Sequence, residues 1–138
     1  MNKGLTLVEV VIASAIILAA IVTLLGVHTL YLKVALANTD SVKAAFLLEE
    51  GIEETRYLRD DSWSANIAGL TSTTTSIDNF ERMVTLSAVY RDSNGDIVSS
   101  GGTLDTNTKL ITSSVSWMVN GATTTKSIST YLTNLYAN

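Results

Sequence analysis

The sequence predicts an α+β fold: a long N-terminal α-helix, its first half transmembrane, packed on a C-terminal antiparallel β-sheet of three or four strands. Three observations predict it. Residues 7–32 are an almost uncharged apolar run, residues 33–61 extend it with a helical stripe, and from Phe80 onward the apolar period changes to two. A length of 138 residues leaves room for one body and little else. The composition divides along the same line, with 7 Ser and Thr in residues 1–59 and 27 in residues 60–138.

The run Leu7–Leu32 reads LVEVVIASAIILAAIVTLLGVHTLYL, and Glu9 is the only charged residue from Gly4 to Leu32. At about 1.5 Å rise per residue, roughly 20 residues cross the bilayer hydrocarbon, so this run is long enough. A buried core helix would show a polar face, and none appears before Lys33. A secretory signal cut after Ala35-Leu36-Ala37 is a weaker fit, because a signal has an apolar core of only about 7–15 residues. A plain signal anchor fits the length but does not favour a carboxylate inside the run, where an acid costs roughly 2.5–3.5 kcal/mol at the helix centre and less near the end. As a plain anchor, the chain would hold Glu9 as an interfacial acid.

The whole leading string, Met1-Asn2-Lys3-Gly4-Leu5-Thr6-Leu7-Val8-Glu9-Val10-Val11, places a short basic leader before Gly4 and an acid five residues beyond it. It resembles the N-terminus of type IV pilins and type II secretion pseudopilins, specifically over residues 3–30. Most relatives have Phe after the Gly, where this chain has Leu5. The resemblance implies a pilin-like fold and cleavage by a prepilin peptidase between Gly4 and Leu5. It also implies N-methylation of Leu5, and Glu9 as the family's characteristic acid. Residues 1–4 are then the leader, 5–32 the transmembrane and filament-core helix, 33–61 its amphipathic continuation, and 62–138 the Ser/Thr-rich sheet body. The implied partners are the peptidase, membrane lipid before assembly, other pilin or pseudopilin subunits, and the assembly machinery. The implied location is the cytoplasmic (inner) membrane as a single-pass protein, then an extracellular pilus or a periplasmic pseudopilus. A minor-pilin role is compatible with the strand pattern. The physics fits this carry-over. The cationic amine of Leu5 and the carboxylate of Glu9 are each costly in lipid, and each is stabilised beside the opposite charge of a neighbouring subunit. Glu9 thereby becomes a register mark for assembly, as one buried polar residue is in a coiled coil.

The helix continues past Leu32. Val42, Ala45, Leu48, Ile52, Thr55 and Leu58 form its predicted inward stripe. Glu49–Glu53 and Glu50–Glu54 are like-charge i,i+4 pairs that cost a few tenths of a kcal/mol each on an isolated helix. The acidic run is read as a solvated face or as a subunit contact. Gly26 and Gly51 are weak points, each costing up to about 1 kcal/mol against Ala. Many pilins have Pro near the place of Gly26, and this chain has no Pro, so Gly26 is the candidate point of helix softening. From Leu5 to Arg59 an unbroken helix would be roughly 80 Å long. Asp60-Asp61-Ser62 ends the pattern.

Residues 60–79, with TSTTTS, read as an exposed loop holding at most a short strand or helix, with glycosylation as a second reading. Val84, Leu86, Ala88 and Tyr90 then alternate with Thr85, Ser87 and Val89, which predicts a first strand with the former four inward. Ile111, Val115, Trp117 and Val119 line one face of a second strand, and Ile128, Thr130 and Leu132 suggest a third. Asn94-Gly95 marks a turn after the first strand, and Asn120-Gly121 a two-residue hairpin between the last two. Asp92, Asn94 and Asp96 place oxygens at positions 1, 3 and 5 of a calcium loop. Ile97 stands where Gly is required and no acid occupies position 12, so a plain turn is the preferred reading.

The chain offers no catalytic constellation. It has no Cys, and His28 alone cannot build a triad or a metal site. No cofactor is expected. Net charge is −4, and Arg82, Arg91, Lys109 and Lys126 are the only basic residues after Arg59, so direct binding to nucleic acid is not expected. The leading expectation is a non-enzymatic filament subunit. The alternative is a membrane-anchored or filament-tip adhesin that recognises a ligand through the Ser/Thr-rich sheet.

Overall fold

With no proline to remove a backbone donor, nothing breaks the helical pattern, and α1 runs from Leu7 to Asp61. The computed structural model describes residues 6–119 and 121–136. Two compact units divide the chain, Met1–Asp40 and Ser41–Asn138. In the first, the apolar side chains of α1 are uncovered, with Leu24 69% and Val22 67% exposed. In the second, the rest of α1 packs on an antiparallel sheet, giving the α+β arrangement that the sequence predicts.

The C-terminal end of α1 is closed by its own continuation. The Asn66 side-chain amide donates to Asp61 Oδ2 at 2.8 Å and to the Leu58 carbonyl at 3.2 Å, which also accepts from Ser62 N–H at 3.1 Å. A single π-helical turn, Trp63–Ile67, follows and places Ile67 fully inside the core.

The strands are β1 Ser72–Ile77, β2 Phe80–Arg91, β3 Ile97–Val98, β4 Thr103–Val119 and β5 Ala122–Thr133. They lie in the order β1-β2-β4-β5, with β3 paired to β2 beside Tyr90 and Arg91. The sheet thus has five strands where three or four were expected. The added ones are β1 and β3. β1 takes up most of the TSTTTS segment, in the stretch read from sequence as a loop holding at most a short strand or helix. Its β-branched threonines suit extended backbone, and Asp78-Asn79 joins it to β2 with Ile77 opposite Phe80. Asp78 adopts φ 53°, a conformation that Asp and Asn tolerate. As an edge strand exposed along most of its length, β1 carries no apolar alternation to betray it. Val119 and Ala122 pair across residues 120 and 121, as the hairpin signal predicts, and Gly121 takes φ 82°. Asn120 itself lies outside the described residues.

The predicted inward faces need two corrections. On β2, Phe80, Arg82, Val84 and Leu86 point to the core, but then Val89 does so rather than Ala88 and Tyr90. The register to β4 slips between Ala88 and Val89, whose partners are Lys109 and Asp105. This bulge resets the alternation by one residue. On α1, Val42 and Ala45 are exposed. The sheet-facing stripe is Ala44, Leu47, Leu48, Gly51, Ile52 and Thr55. Leu48, Ile52 and Thr55 are buried as predicted and Leu58 is half-buried. The stripe differs at its start, where Ala44 and Leu47 take the place of Val42 and Ala45, and in Gly51, whose small size lets the helix approach the sheet.

Two apolar clusters fill the interface. Ala44, Leu47 and Leu48 pack with Phe80, Val115 and Trp117, and the Phe80 and Trp117 ring centroids lie 5.7 Å apart. Ile52 and Ile67 pack with Val84, Leu86, Ile111 and Leu132. In the helix Gly51 separates these clusters, and on β4 Ser113 does the same. A Cβ on Gly51 would lie 2.8 Å from Ser113 Oγ, 3.0 Å from Val84 Cγ2 and 3.1 Å from Arg82 Cδ. The glycine that looked like a helix weakness is therefore the point of closest approach.

Gly51→Ala should lower stability by about 1–2 kcal/mol, since overpacking outweighs the helix-propensity gain of up to about 1 kcal/mol. For a body of this size that is a Tm drop of roughly 4–8 °C per kcal/mol. Ser113→Ala should rescue much of it by removing the nearest atom. An unchanged Tm in Gly51→Ala would show that the contact yields freely.

Candidate functional site

The residue with the strongest functional expectation, Glu9, stands at the start of α1, and its partner is Thr6. Thr6 N–H and Thr6 Oγ1 both donate to Glu9 Oε2, each at 2.8 Å, while Glu9 N–H reaches Thr6 Oγ1 at 3.4 Å. This is a reciprocal capping box, in which Thr and Glu three residues apart satisfy each other's orphan donors. Thr-x-x-Glu before an apolar run is the sequence signature of this box, and Thr6 gains its role from it. The box occupies one carboxylate oxygen. Among the described residues Glu9 Oε1 has no partner. Gly4 and Leu5, the expected processing residues, lie outside the described residues.

The rest of the apolar segment is arranged to leave few polar groups unpaired. Ser14 donates to Val11 O at 2.9 Å, Thr23 to Ala20 O at 2.8 Å and Thr29 to Leu25 O at 2.8 Å. Each hydroxyl is thus spent on its own helix, which suits a surrounding without water. α1 passes through Gly26 without a break, and a Cβ there would meet nothing within 4 Å. His28 and Tyr31 are both exposed on the helix surface.

The acidic run is not simply a solvated face. Arg82, from β2, has a side chain only 5% exposed, and its stem lies against Gly51. Its NH2 donates to Glu54 Oε2 at 2.6 Å. Its NH1 lies 3.4 Å from Glu50 Oε1, an ion-pair distance without hydrogen-bond geometry. The like-charge pair Glu50–Glu54 is therefore bridged by a cation from the sheet, and Glu53 pairs with Arg56. Reading the helix in isolation made the pair a cost; the sheet makes it a clamp.

The calcium candidate is organised around its own backbone. Asp92 Oδ1 accepts from the amides of Asn94 and Asp96, each at 2.9 Å, and Gly95 takes φ 87°. This is an Asx-type turn. Among the described residues no group of three His, Cys, Asp or Glu is placed to hold a metal ion.

The face of the sheet turned away from α1 carries a second pattern. Its rows across the strands are Ser72–Thr85–Thr112–Ser129, then Thr74–Met83–Ser114–Ser127, then Ser76–Glu81–Ser116–Thr125. The next row on the other side is Ser87–Leu110–Tyr131. There Leu110 and Tyr131 join Ala88, Tyr90 and Ile97 around a groove of about 550 Å³. Comparison with protein families, curated proteins and solved structures gives no match to this chain.

Two predictions follow from the charged contacts. The Arg82 guanidinium is buried while its carboxylates are largely exposed, so removing the acids strands a buried cation, whereas removing Arg82 strands nothing. Glu50→Gln with Glu54→Gln should cost about 1–3 kcal/mol, and Arg82→Met less than about 1.5 kcal/mol; thermal unfolding of both variants reads the order. The second concerns Asp105, which accepts from Arg91 Nε at 2.7 Å and from the Asn107 amide at 2.9 Å beside the bulge. Hydrogen bonds from Arg91 and then Thr108 hold its carboxyl below the ordinary 3.8. A lowered folded value means that the unfolded chain takes up the proton first. The stabilisation is therefore complete well above pH 3.8 and lost as pH falls through the lower folded value. Asp105→Asn should lower Tm near neutrality and flatten its fall in acid; a parallel acid profile would remove Asp105 from that role.

Proposed function

We propose that the chain is a structural, non-enzymatic subunit of a type IV pilus or a type II secretion pseudopilus. It waits in the membrane through its apolar helix and then joins a helical filament. The observation that carries this reading is the pairing of a membrane-length helix, its apolar side chains exposed, with a single acid held at its first turn. A plain anchor needs only the length. A carboxylate fixed by Thr6, with one oxygen unpartnered among the described residues, is suited to meet a cation delivered by another copy.

In this reading the peptidase cuts between Gly4 and Leu5 and the new amine of Leu5 is methylated. That amine then neutralises Glu9 of a neighbouring subunit. Repeated contacts between unlike patches do not close, so they propagate into a filament. The uncovered leucines, valines and isoleucines of α1 leave lipid only to pack on one another. The partners are the peptidase, sister subunits and the extraction machinery, and the chain itself carries out no reaction.

Mass spectrometry of the mature N-terminus tests the reading. N-methyl-Leu5 is expected, whereas a start at Asn38 would indicate ordinary secretion and an intact Met1 a permanent anchor. Glu9→Ala should still insert in the membrane but fail to enter filaments, as measured in the sheared-filament fraction. Wild-type incorporation of that variant would remove Glu9 from assembly.

A further inference from the structure

We infer that the outer face of the sheet is a binding surface for a neutral polysaccharide, seated on Tyr131 and Tyr90 and hydrogen-bonded along the hydroxyl rows beside them. The inference rests on the body alone and does not depend on how the apolar helix is used.

Ten of the twelve positions in the three hydroxyl rows are Ser or Thr, the exceptions being Met83 and Glu81. Neighbouring strands lie about 4.8 Å apart, and same-face residues about 6.8 Å apart along a strand. The face is therefore a regular grid of groups that each donate one hydrogen bond and accept two. A sugar hydroxyl has the same capacity, so each contact can be made in either sense. Only a few of these hydroxyls are already engaged, as where Thr112 meets Ser129 at 2.9 Å.

Charge narrows the class of ligand. The three rows contain no Lys or Arg, and Glu81 is their one ionised group, so nothing in them attracts a polyanion. Serine is depleted at protein–protein interfaces, which argues against a protein partner. Sheet twist, roughly 20–25° between adjacent strands, bends the grid too much to match a rigid crystalline plane, but a flexible chain can follow it.

The groove beside the grid supplies the apolar part of the contact. Tyr131 is 51% and Tyr90 42% exposed, and Leu110 and Ile97 line the groove with them. A volume of about 550 Å³ lies within the usual range for small-ligand sites. Exposed tyrosines present flat apolar faces with a polar tip, the surface on which the C–H face of a pyranose ring stacks.

The test uses the full-length chain in detergent micelles and immobilised dextran, galactomannan and xyloglucan, with alginate as the anionic control. Binding to at least one neutral polymer is expected, little changed between about 0.05 and 0.5 M salt. Tyr131→Ala, at an exposed position, should weaken it by roughly tenfold, and Ser127→Arg should weaken it too; circular dichroism checks that both fold. Four outcomes would overturn the inference. They are binding to none of the neutral polymers, binding to alginate alone, wild-type binding by the Tyr90→Ala/Tyr131→Ala variant, or self-association through this face revealed by sedimentation.

Discussion

The contact on which the body depends is the close approach of α1 to the sheet at Gly51. Everything else in the interface is arranged about it. Leu48 and Ile52, its neighbours in the helix, head the two apolar clusters, and Ser113 faces it from the longest strand. Arg82 lies along the gap that the missing side chain opens, and reaches the carboxylates on either side. A larger residue would separate helix from sheet, thin both clusters at once and withdraw the cation from its partners. Helix propensity disfavours glycine here by up to about 1 kcal/mol, and the packing that it permits is larger than that loss.

The apolar half of α1 answers to a different constraint. Its apolar side chains are exposed, and its hydroxyls turn back onto their own helix. The capping box ties the first turn to the one charge in the segment, so the residue that defines where the helix begins also fixes where the charge sits. This gives a local reason for an acid in an apolar run: at the first turn a carboxylate satisfies orphan N–H groups and interacts well with the positive end of the helix dipole. That local role and an intermolecular one are compatible, since the box occupies only Oε2.

Much of this was legible in the sequence. The apolar run, the helical continuation to Asp61, the period-two strands and the Asn-Gly hairpin all rest on signals that repeat over many residues. What was missed depends on one residue or on a distant partner. The start of the α1 stripe turned on Ala44, and its closest approach on Gly51, residues whose small size gives no apolar signal. β1 was hidden because an exposed edge strand of threonines has no apolar side to show. The switch from Ala88 to Val89 follows from extra length in β4, a strand that pairs with β2 from more than a dozen residues away. Arg82 between Glu50 and Glu54 joins sequence positions about thirty apart, and no local pattern anticipates it. Thr6 is the exception, since its spacing to Glu9 was in plain view.

The strand order has a consequence for how the body comes into being. β4 holds the centre of the sheet, yet it arrives late in the chain, and Leu132 on β5, which completes the second cluster, arrives almost last. During synthesis only the β1–β2 hairpin can form early, and a two-stranded hairpin is marginal by itself. The stripe on α1 can meet Phe80, Val84 and Leu86 of β2 first, but its two clusters are complete only once β4 and then Leu132 have emerged. The β2–β4 pairing at the centre of the sheet is the non-local one, the kind that forms slowly. A nascent chain exposes the inner face of its helix for most of its time on the ribosome.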